Sequence, residues 1–283
     1  MRVGLVQSKV TSDSEINLEK ALAGVKKAAE LGAEVVCLQE LFAHPYVGIH
    51  KLEINFSLAE PIPGPLTITL SEAAKKNKVV LIGGSIFERE IDRGMTQYFN
   101  TAVVFSPQGK MMDLYRKIHI PNDSHYEEQF YFSSGNQGYK VVDTEQGKIG
   151  VGICYDQWFP EVSRALALEG AQVIFYPTAI GWTEEMKKKE KFSTKNWRDM
   201  QRMQAVANHV YVAAVNRVGK EKGTDFWGHS FVADPFGEIL VKGSRKKDEV
   251  LVVSCDLAKI EEAKTWGFMK NRRPETYERL LKP

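Results

Sequence analysis

Residues 33–40, AEVVCLQE, carry a continuous apolar run, Val35 to Leu38, that ends on Gln39 and Glu40. A run of this length without polar alternation is the pattern of a strand buried on both faces, the habit of parallel sheets covered by helices. Reading upstream, Gly32 supplies a stop, and an amphipathic helix runs from about Ser14 to Leu31. Its apolar positions Ile16, Leu18, Ala21, Leu22, Val25, Ala28 and Ala29 follow a 3.6-residue period. Before it stands RVGLVQS, a strand candidate. Reading downstream, a second cycle brings a helix from about Leu66 to Lys76 and the strand VVLIGGSI. Tyr98–Ser106 and a segment near Lys110–Leu114 then form a hairpin turned by Pro107 to Gly109.

The second half repeats the theme. KIGVGIC is a strand, and Pro160 to Leu168 a helix with proline near its first turn and Gly170 at its end. AQVIFYP is a strand, Lys195 to Asn208 a helix, and VYVAAVN another strand. HSFVADP and EILVKG form a hairpin around Pro235–Gly237, and EVLVVSCDL closes the core. No Ser/Gly/Pro-rich linker divides the halves. The pattern predicts one α/β domain over residues 1–283, with mixed sheet covered by helices and two such layers stacked. Residues 266–283 are polar and basic with scattered aromatics, a tail that must pack or fray; a partner subunit is one place for it.

With 283 residues, 43% of them hydrophobic, the chain can bury a sizeable core. Its net charge of +2 points to no polyanionic partner. The basic runs Lys187–Lys191 (KKKEK) and Lys242–Lys247 (KGSRKK) lack interleaved aromatics, so they read as solvated loops rather than nucleic-acid contacts. Cys37, Cys154 and Cys255 are odd in number and widely spaced, which argues against a disulfide framework or a zinc site. MRVGLVQSKV is short, alternating and strand-like, unlike a signal peptide. No apolar run reaches the roughly 18 residues that span a bilayer. A cytoplasmic protein is the expectation.

Two apolar strands end in a chemically useful residue, VVCLQE at Glu40 and KIGVGIC at Cys154. In open α/β sheets ligands bind outside the carboxyl ends of the strands, so both residues can reach one crevice. Pattern alone leaves Cys154 either a nucleophile or a small buried hydrophobe, and Glu40 either a catalytic acid or a solvated strand end. Cys37 and Cys255 lie inside strand runs and read as core. A nucleophilic cysteine needs a cation or base nearby. None of His44, His50, His119, His125, His209 or His229 stands in a cysteine-protease signature, and Lys117 in LYRKIHIP is the other kind of cation.

Taken together, Glu40 in QELF, Lys117 in YRKIHIP and Cys154 in GICYDQWFPE resemble the Glu–Lys–Cys triad of the nitrilase (carbon–nitrogen hydrolase) superfamily. The resemblance covers nearly the whole chain, including FYPTAIGW, AVNRVG and FWGHSFVADPFGEI. It implies a four-layer α-β-β-α sandwich. HIPNDSHYEEQFYF, CYDQWFPE and YPTAIG are most similar to the N-carbamoylputrescine amidase branch, which implies a second acid at Glu128, with Glu127 as its neighbour, and a pocket position at Tyr46. The chain departs from plant members of that branch at Trp182-Thr183, ahead of Glu184, and at Gln204, both expected near the substrate end.

The resemblance implies roles as well as residues. Glu40 acts as base and then acid, Cys154 as nucleophile, and Lys117 with the Tyr155 backbone N–H as oxyanion stabiliser. Glu128 holds the lysine and the substrate nitrogen in register. Tyr46, Phe130, Tyr131, Phe132, Tyr155, Trp158 and Trp182 are candidates for a narrow aromatic pocket, and ordinary packing is the competing reading of each. Asp156, Glu184 and Glu185 are candidates for gripping a distal amine. No metal or organic cofactor is implied. The expected substrate is a small N-carbamoyl amine, with an ω-amide or N-carbamoyl amino acid as the alternative; the latter would need a pocket arginine, Arg164 or Arg198. A catalytically silent binding protein is the remaining reading, which an intact triad disfavours. Relatives of this kind commonly form homo-oligomers.

Overall fold

In the computed structural model, which describes residues 1–189 and 194–282, the first half supplies strands of one large sheet. They are β1 (Arg2–Gln7), β2 (Val35–Leu38), β3 (Val80–Ile82), β4 (Ile86–Asp92), β5 (Met95–Phe105) and β6 (Met111–Arg116). The second half adds β7 (Val141–Thr144), β8 (Gly147–Val151), β9 (Val173–Thr178), β10 (Tyr211–Asn216), β11 (Phe231–Ala233), β12 (Ile239–Lys242) and β13 (Glu249–Ser254). The helices are α1 (Ser14–Glu30), α2 (Pro65–Asn77), α3 (Pro160–Leu168), α4 (Glu184–Lys189), α5 (Thr194–Asn208) and α6 (Ala258–Lys264).

Of the two large sheets, one has the order β13-β1-β2-β3-β5-β4, with β6 also paired to β5, and the second runs β12-β11-β10-β9-β8-β7; two small sheets of short strands accompany them. The centre of each large sheet is parallel, β1 with β2 and β3, and β8 with β9 and β10. The flanking pairs are antiparallel, so both sheets are mixed, as the strand–helix alternation predicts. An apolar core that draws Val3, Leu5, Val35 and Val80 from one sheet and Ile149, Val173, Phe175 and Ala213 from the other fills the space between them. The outer face of the first sheet packs on α1 and α2 through Val25, Ala28, Leu70 and Ala74. The outer face of the second packs on α3 and α5 through Val162, Leu166, Trp197 and Ala205. The result is the α-β-β-α sandwich.

Local chemistry sets the element ends. Asp13 caps α1 by accepting from the backbone N–H groups of Glu15 and Ile16 at 2.9 and 3.2 Å. VVLIGGSI, expected as one strand, breaks at Gly83–Gly84 into β3 and β4. Gly84 has φ +53°, and a Cβ there would lie 2.1 Å from the Gln39 carbonyl oxygen, so the chain bends where it crosses the segment carrying Glu40. β4 then pairs with β5 along its whole length, and β5 pairs in turn with β6, the hairpin expected from Tyr98–Ser106 and Lys110–Leu114. The basic run at Lys187 is helical as far as Lys189, within α4, rather than a loop; Glu190 and Lys191 lie outside the described residues.

The C-terminal tail folds back on its own helical face. The Phe268 ring stacks on His209 at 5.3 Å, and Trp266 meets Phe236 at 6.2 Å. Between the tail, α3 and α5 lies an open cavity of about 650 Å³. Leu280 and Leu281 at its far end stay 70% and 87% exposed.

Candidate active site

β2 stops at Leu38, two residues before the glutamate, so Glu40 stands in the turn beyond the strand rather than at its last position. That turn is held from several sides. Leu41 adopts φ +45°, and its N–H donates to Ser85 Oγ at 2.9 Å. The Arg217 guanidinium donates to the carbonyls of Glu40, Leu41 and His44 at 3.0, 2.7 and 3.2 Å. Its other arm pairs with Glu221 at 2.8 Å, and Glu221 accepts from the Tyr46 N–H at 2.8 Å. Lys117 follows β6 directly, its N–H donating to the Asn100 carbonyl of β5 at 2.9 Å. Glu128 opens a short 3-10 turn, Glu128–Phe130.

The second sheet brings the thiol. β8 ends at Val151, and Cys154 begins a 3-10 turn, Cys154–Trp158, so the cysteine too stands past its strand. Its φ of +42° is a strained backbone for a residue with a Cβ, costing on the order of 1 kcal/mol, and the turn is built to hold it. Asp156, fully buried, accepts from the Ile153 N–H and the Tyr115 hydroxyl at 2.8 Å each, and from the His119 N–H at 3.1 Å. His119 Nδ1 lies 2.8 Å from the same carboxylate. Behind the turn, Gln204 and Gln201 donate to the Gln157 carbonyl at 2.7 and 3.2 Å, and Trp197 donates to the Gln157 side chain at 2.8 Å.

These elements bring Glu40, Lys117, Glu128 and Cys154 into one buried cluster. Lys117 Nζ donates to Glu40 Oε1 at 2.8 Å and to the two oxygens of Glu128 at 2.8 and 2.7 Å. The Tyr46 hydroxyl donates to Glu128, and Asn100 Nδ2 donates to Glu40 at 2.9 Å and to Glu128 at 3.3 Å. Glu40 Oε2 has no hydrogen-bond partner among the described residues, and the Cys154 thiol is close enough to act on the same carboxyl.

The charge balance follows from burial. One ammonium faces two carboxylates, so a thiolate added at rest would leave two uncompensated negative charges out of water. The titration tendencies agree. Burial, with Glu40 and Glu128 nearby, pushes the Cys154 thiol well up against the pull of Lys117. Burial also raises the Glu40 carboxyl, with Glu128 adding to it and Lys117 opposing. Burial works against the Lys117 charge, but Glu128, Glu40 and Cys154 more than offset it, and the ammonium is held firmly protonated. The cluster therefore favours a protonated thiol, beside a carboxylate oxygen that no hydrogen bond satisfies.

Other expected positions resolve differently. Glu127 is half-buried and faces Lys51 at 3.5 Å, which leaves Glu128 as the acid at the lysine. Tyr46 is buried with its hydroxyl spent on Glu128 and its ring against Phe226 at 5.8 Å. Tyr155, half-buried, packs edge-on against Phe159 at 5.4 Å. Trp158 and Trp182 pack against the α3–α5 core, and Trp182 meets Trp227 at 4.8 Å. Tyr131 and Phe132 pack with Phe56 and Phe87 in an aromatic cluster that also takes in Leu41 and Tyr46 beside the site.

Asp156 is not available to grip a distal amine, because its two oxygens are taken up by Ile153, Tyr115 and His119. Glu184 is exposed and pairs with Lys187 at 2.7 Å. Arg164 is not a pocket arginine: it caps the Ala207 carbonyl at 3.0 Å and lines the cavity under the tail. Gln204 sits behind the Cys154–Trp158 turn and lines the same cavity. None of the charged groups acting on Cys154 is a histidine. The sequence reading missed Asn100, Arg217 and Glu221. AVNRVG flagged the arginine as part of a motif, but Asn100 is a lone polar residue inside a strand.

Among the described residues no group of three or more His, Cys, Asp or Glu side chains is placed to hold a metal ion, and no helix is long and apolar enough to cross a membrane. A buried thiol, two carboxylates and a lysine thus meet at the ends of two packed sheets. The chain matches the carbon–nitrogen hydrolase family over residues 2–265 and belongs to that family. It is 38% identical over 288 residues to the N-carbamoylputrescine amidase of Solanum lycopersicum, covering 99% of this chain and 94% of that one. It is 33% identical to the citrullinase of Francisella tularensis, covering 100% and 98%. Its structure superimposes on a carbon–nitrogen hydrolase from Helicobacter pylori G27 with a TM-score of 0.93 and 37% identity, covering 100% and 98%. The protein is thus an enzyme that hydrolyses carbon–nitrogen bonds of amide-type substrates.

Proposed function

We propose that the enzyme hydrolyses the terminal C–N bond of an N-carbamoyl amine, N-carbamoylputrescine or a close relative, through a thioester on Cys154. The observation that carries the reading is the single ammonium of Lys117 shared by Glu40 and Glu128 next to a protonated thiol. Glu40 takes the thiol proton as Sγ attacks the ureido carbon, and the carbonyl oxygen gathers negative charge. All the hydrogens of Lys117 Nζ have carboxylate acceptors at rest. Once Glu40 is protonated, its hold on Nζ weakens, and one N–H turns to the oxyanion alongside the Tyr155 backbone N–H. Collapse of the intermediate returns the proton from Glu40 to the departing nitrogen, and ammonia leaves. Water, deprotonated by Glu40, then frees a carbamate, which breaks down to carbon dioxide and the amine. Tyr46 and Asn100 keep Glu128 in place throughout, and no cofactor enters.

The relationship to the tomato amidase over nearly the whole of both chains supports the N-carbamoyl amine. The alternative is the same chemistry on a substrate ending in a carboxylate, an N-carbamoyl amino acid or an ω-amide. One observation favours it: Asp156 is committed to Ile153, Tyr115 and His119 and cannot grip a distal amine. Self-association through the tail face accompanies either reading, given the exposure of Leu280 and Leu281.

Ammonia release over a panel of N-carbamoyl amines, N-carbamoyl amino acids and ω-amides decides between them. Turnover highest on N-carbamoylputrescine is expected, with none in Cys154→Ala. Turnover confined to carboxylate-bearing substrates would replace the first reading with the second, and an active Cys154→Ala would remove the thioester.

A further inference from the structure

Asn100 lies within β5, fully buried, with strands on both sides of it: its neighbour in β4 is Phe87, and its carbonyl accepts from the Lys117 N–H. The side-chain amide is spent entirely on acids, with Nδ2 donating to Glu40 Oε1 at 2.9 Å and to Glu128 Oε2 at 3.3 Å. Its own oxygen, Oδ1, is buried with no hydrogen-bond partner. An orphaned buried acceptor is a standing cost, and turning the amide over would not relieve it, since Oδ1 would then face two carboxylates. The orientation is therefore dictated by the acids and maintained at the expense of the amide.

We propose that Asn100 is a positioning residue for the hydrolytic reaction, its neutral amide spanning the two active-site carboxylates and holding Glu40 in the ionised, aimed form that takes the thiol proton. The proposal rests on the reading of Glu40 as the base. Hydrogen bonds donated to a carboxylate favour its charged form. Lys117 does the same with a charge, but it is shared with Glu128 and must loosen from Glu40 during turnover. The asparagine adds a donor that carries no charge and does not have to move, anchored in the middle of a strand ladder. By occupying Glu40 Oε1 it also leaves Oε2 as the oxygen open to the sulfur.

The test is the pH dependence of kcat and KM for the full-length wild type, Asn100→Asp, Asn100→Leu and Glu40→Gln, on an amide that the wild type turns over. Asn100→Asp keeps the shape and Asn100→Leu removes the donors. Each is expected to lower kcat near neutral pH by about a hundredfold, the scale of a disabled general base, with KM changed little. The acid limb of kcat/KM should move to higher pH by about one unit, and Asn100→Leu should regain activity as pH rises, which damage to packing would not do. An unmoved acid limb in either folded variant overturns the proposal, as does a rise in KM with kcat retained. If Asn100→Leu does not fold, Asn100→Asp decides alone. Glu40→Gln with full turnover would overturn the underlying assignment of the base; an inactive Glu40→Gln with an unmoved limb in the Asn100 variants would overturn only the part given to Asn100.

Discussion

Two cations are buried without exposed surface at the same end of the sandwich, and they are used in opposite ways. Lys117 meets Glu40 and Arg217 meets Glu221, each at 2.8 Å. The ammonium touches side chains only, in a cluster with more negative than positive groups. The guanidinium pairs one carboxylate with one charge and spends its second arm on backbone carbonyls from Glu40 to His44. The planar fork of arginine suits several fixed carbonyls at once, whereas lysine is a compact point charge that can change partners. One region holds charge where a proton must move; the other holds the shape of the loop that delivers Glu40 and Tyr46.

The strongest way to break this contrast is Lys117→Met. Two buried carboxylates would lose their counter-ion, and kcat should fall about a thousandfold with the oxyanion partner gone. The same change should cost about 3 kcal/mol in urea unfolding, as expected when one member of a buried ion cluster is removed. Retained turnover would mean that the lysine only balances charge. Arg217→Lys is the milder counterpart. It keeps the charge facing Glu221 but cannot reach three carbonyls, so a loss of about 2 kcal/mol and a fall in kcat of about tenfold are expected, with KM little changed. Equal effects of the two substitutions on kcat would erase the distinction between a reacting and a shaping cation.

The smallest effect to look for lies in the wild type itself. In the proposed mechanism Glu40 works as a carboxylate, and burial lifts its pKa above the ordinary 4.5. A base with a raised pKa is lost early on acidification, so kcat/KM should decline as pH falls through a value above that figure while the fold persists. A profile still flat below 4.5 would place the base elsewhere.

Much of this architecture was legible because periodicity is local. The α1 pattern places Ala21, Val25 and Ala28 on one face, and these residues are buried against the first sheet. Pro160 and Gly170 bracket α3 with little error. The strand ends were less legible: Glu40 and Cys154 each stand beyond the last ladder pair, because strained turns at Leu41 and Cys154 continue the run in a form that hydropathy does not distinguish from a strand. The gathering of Glu40, Lys117 and Cys154 could be anticipated only from family resemblance, since side chains separated by 77 residues, as Lys117 and Glu40 are, meet through sheet packing. Asn100 and Arg217 escaped for the same reason. Asn100 reads as one polar residue among apolar neighbours in β5, and its meaning lies in partners 60 and 28 residues away.

The carboxylates and lysine belong to one sheet and its loops, the sulfur belongs to the other, and the only spacer between them is the shared apolar core. Such cores are packed as tightly as organic crystals, which makes them stiff spacers. Turnover is in that sense a ruler laid across the interior. Solvents or pressures that shift one leaf against the other should silence the enzyme while every strand is still in place, and its rate would then be the first signal that the middle of the molecule has begun to give.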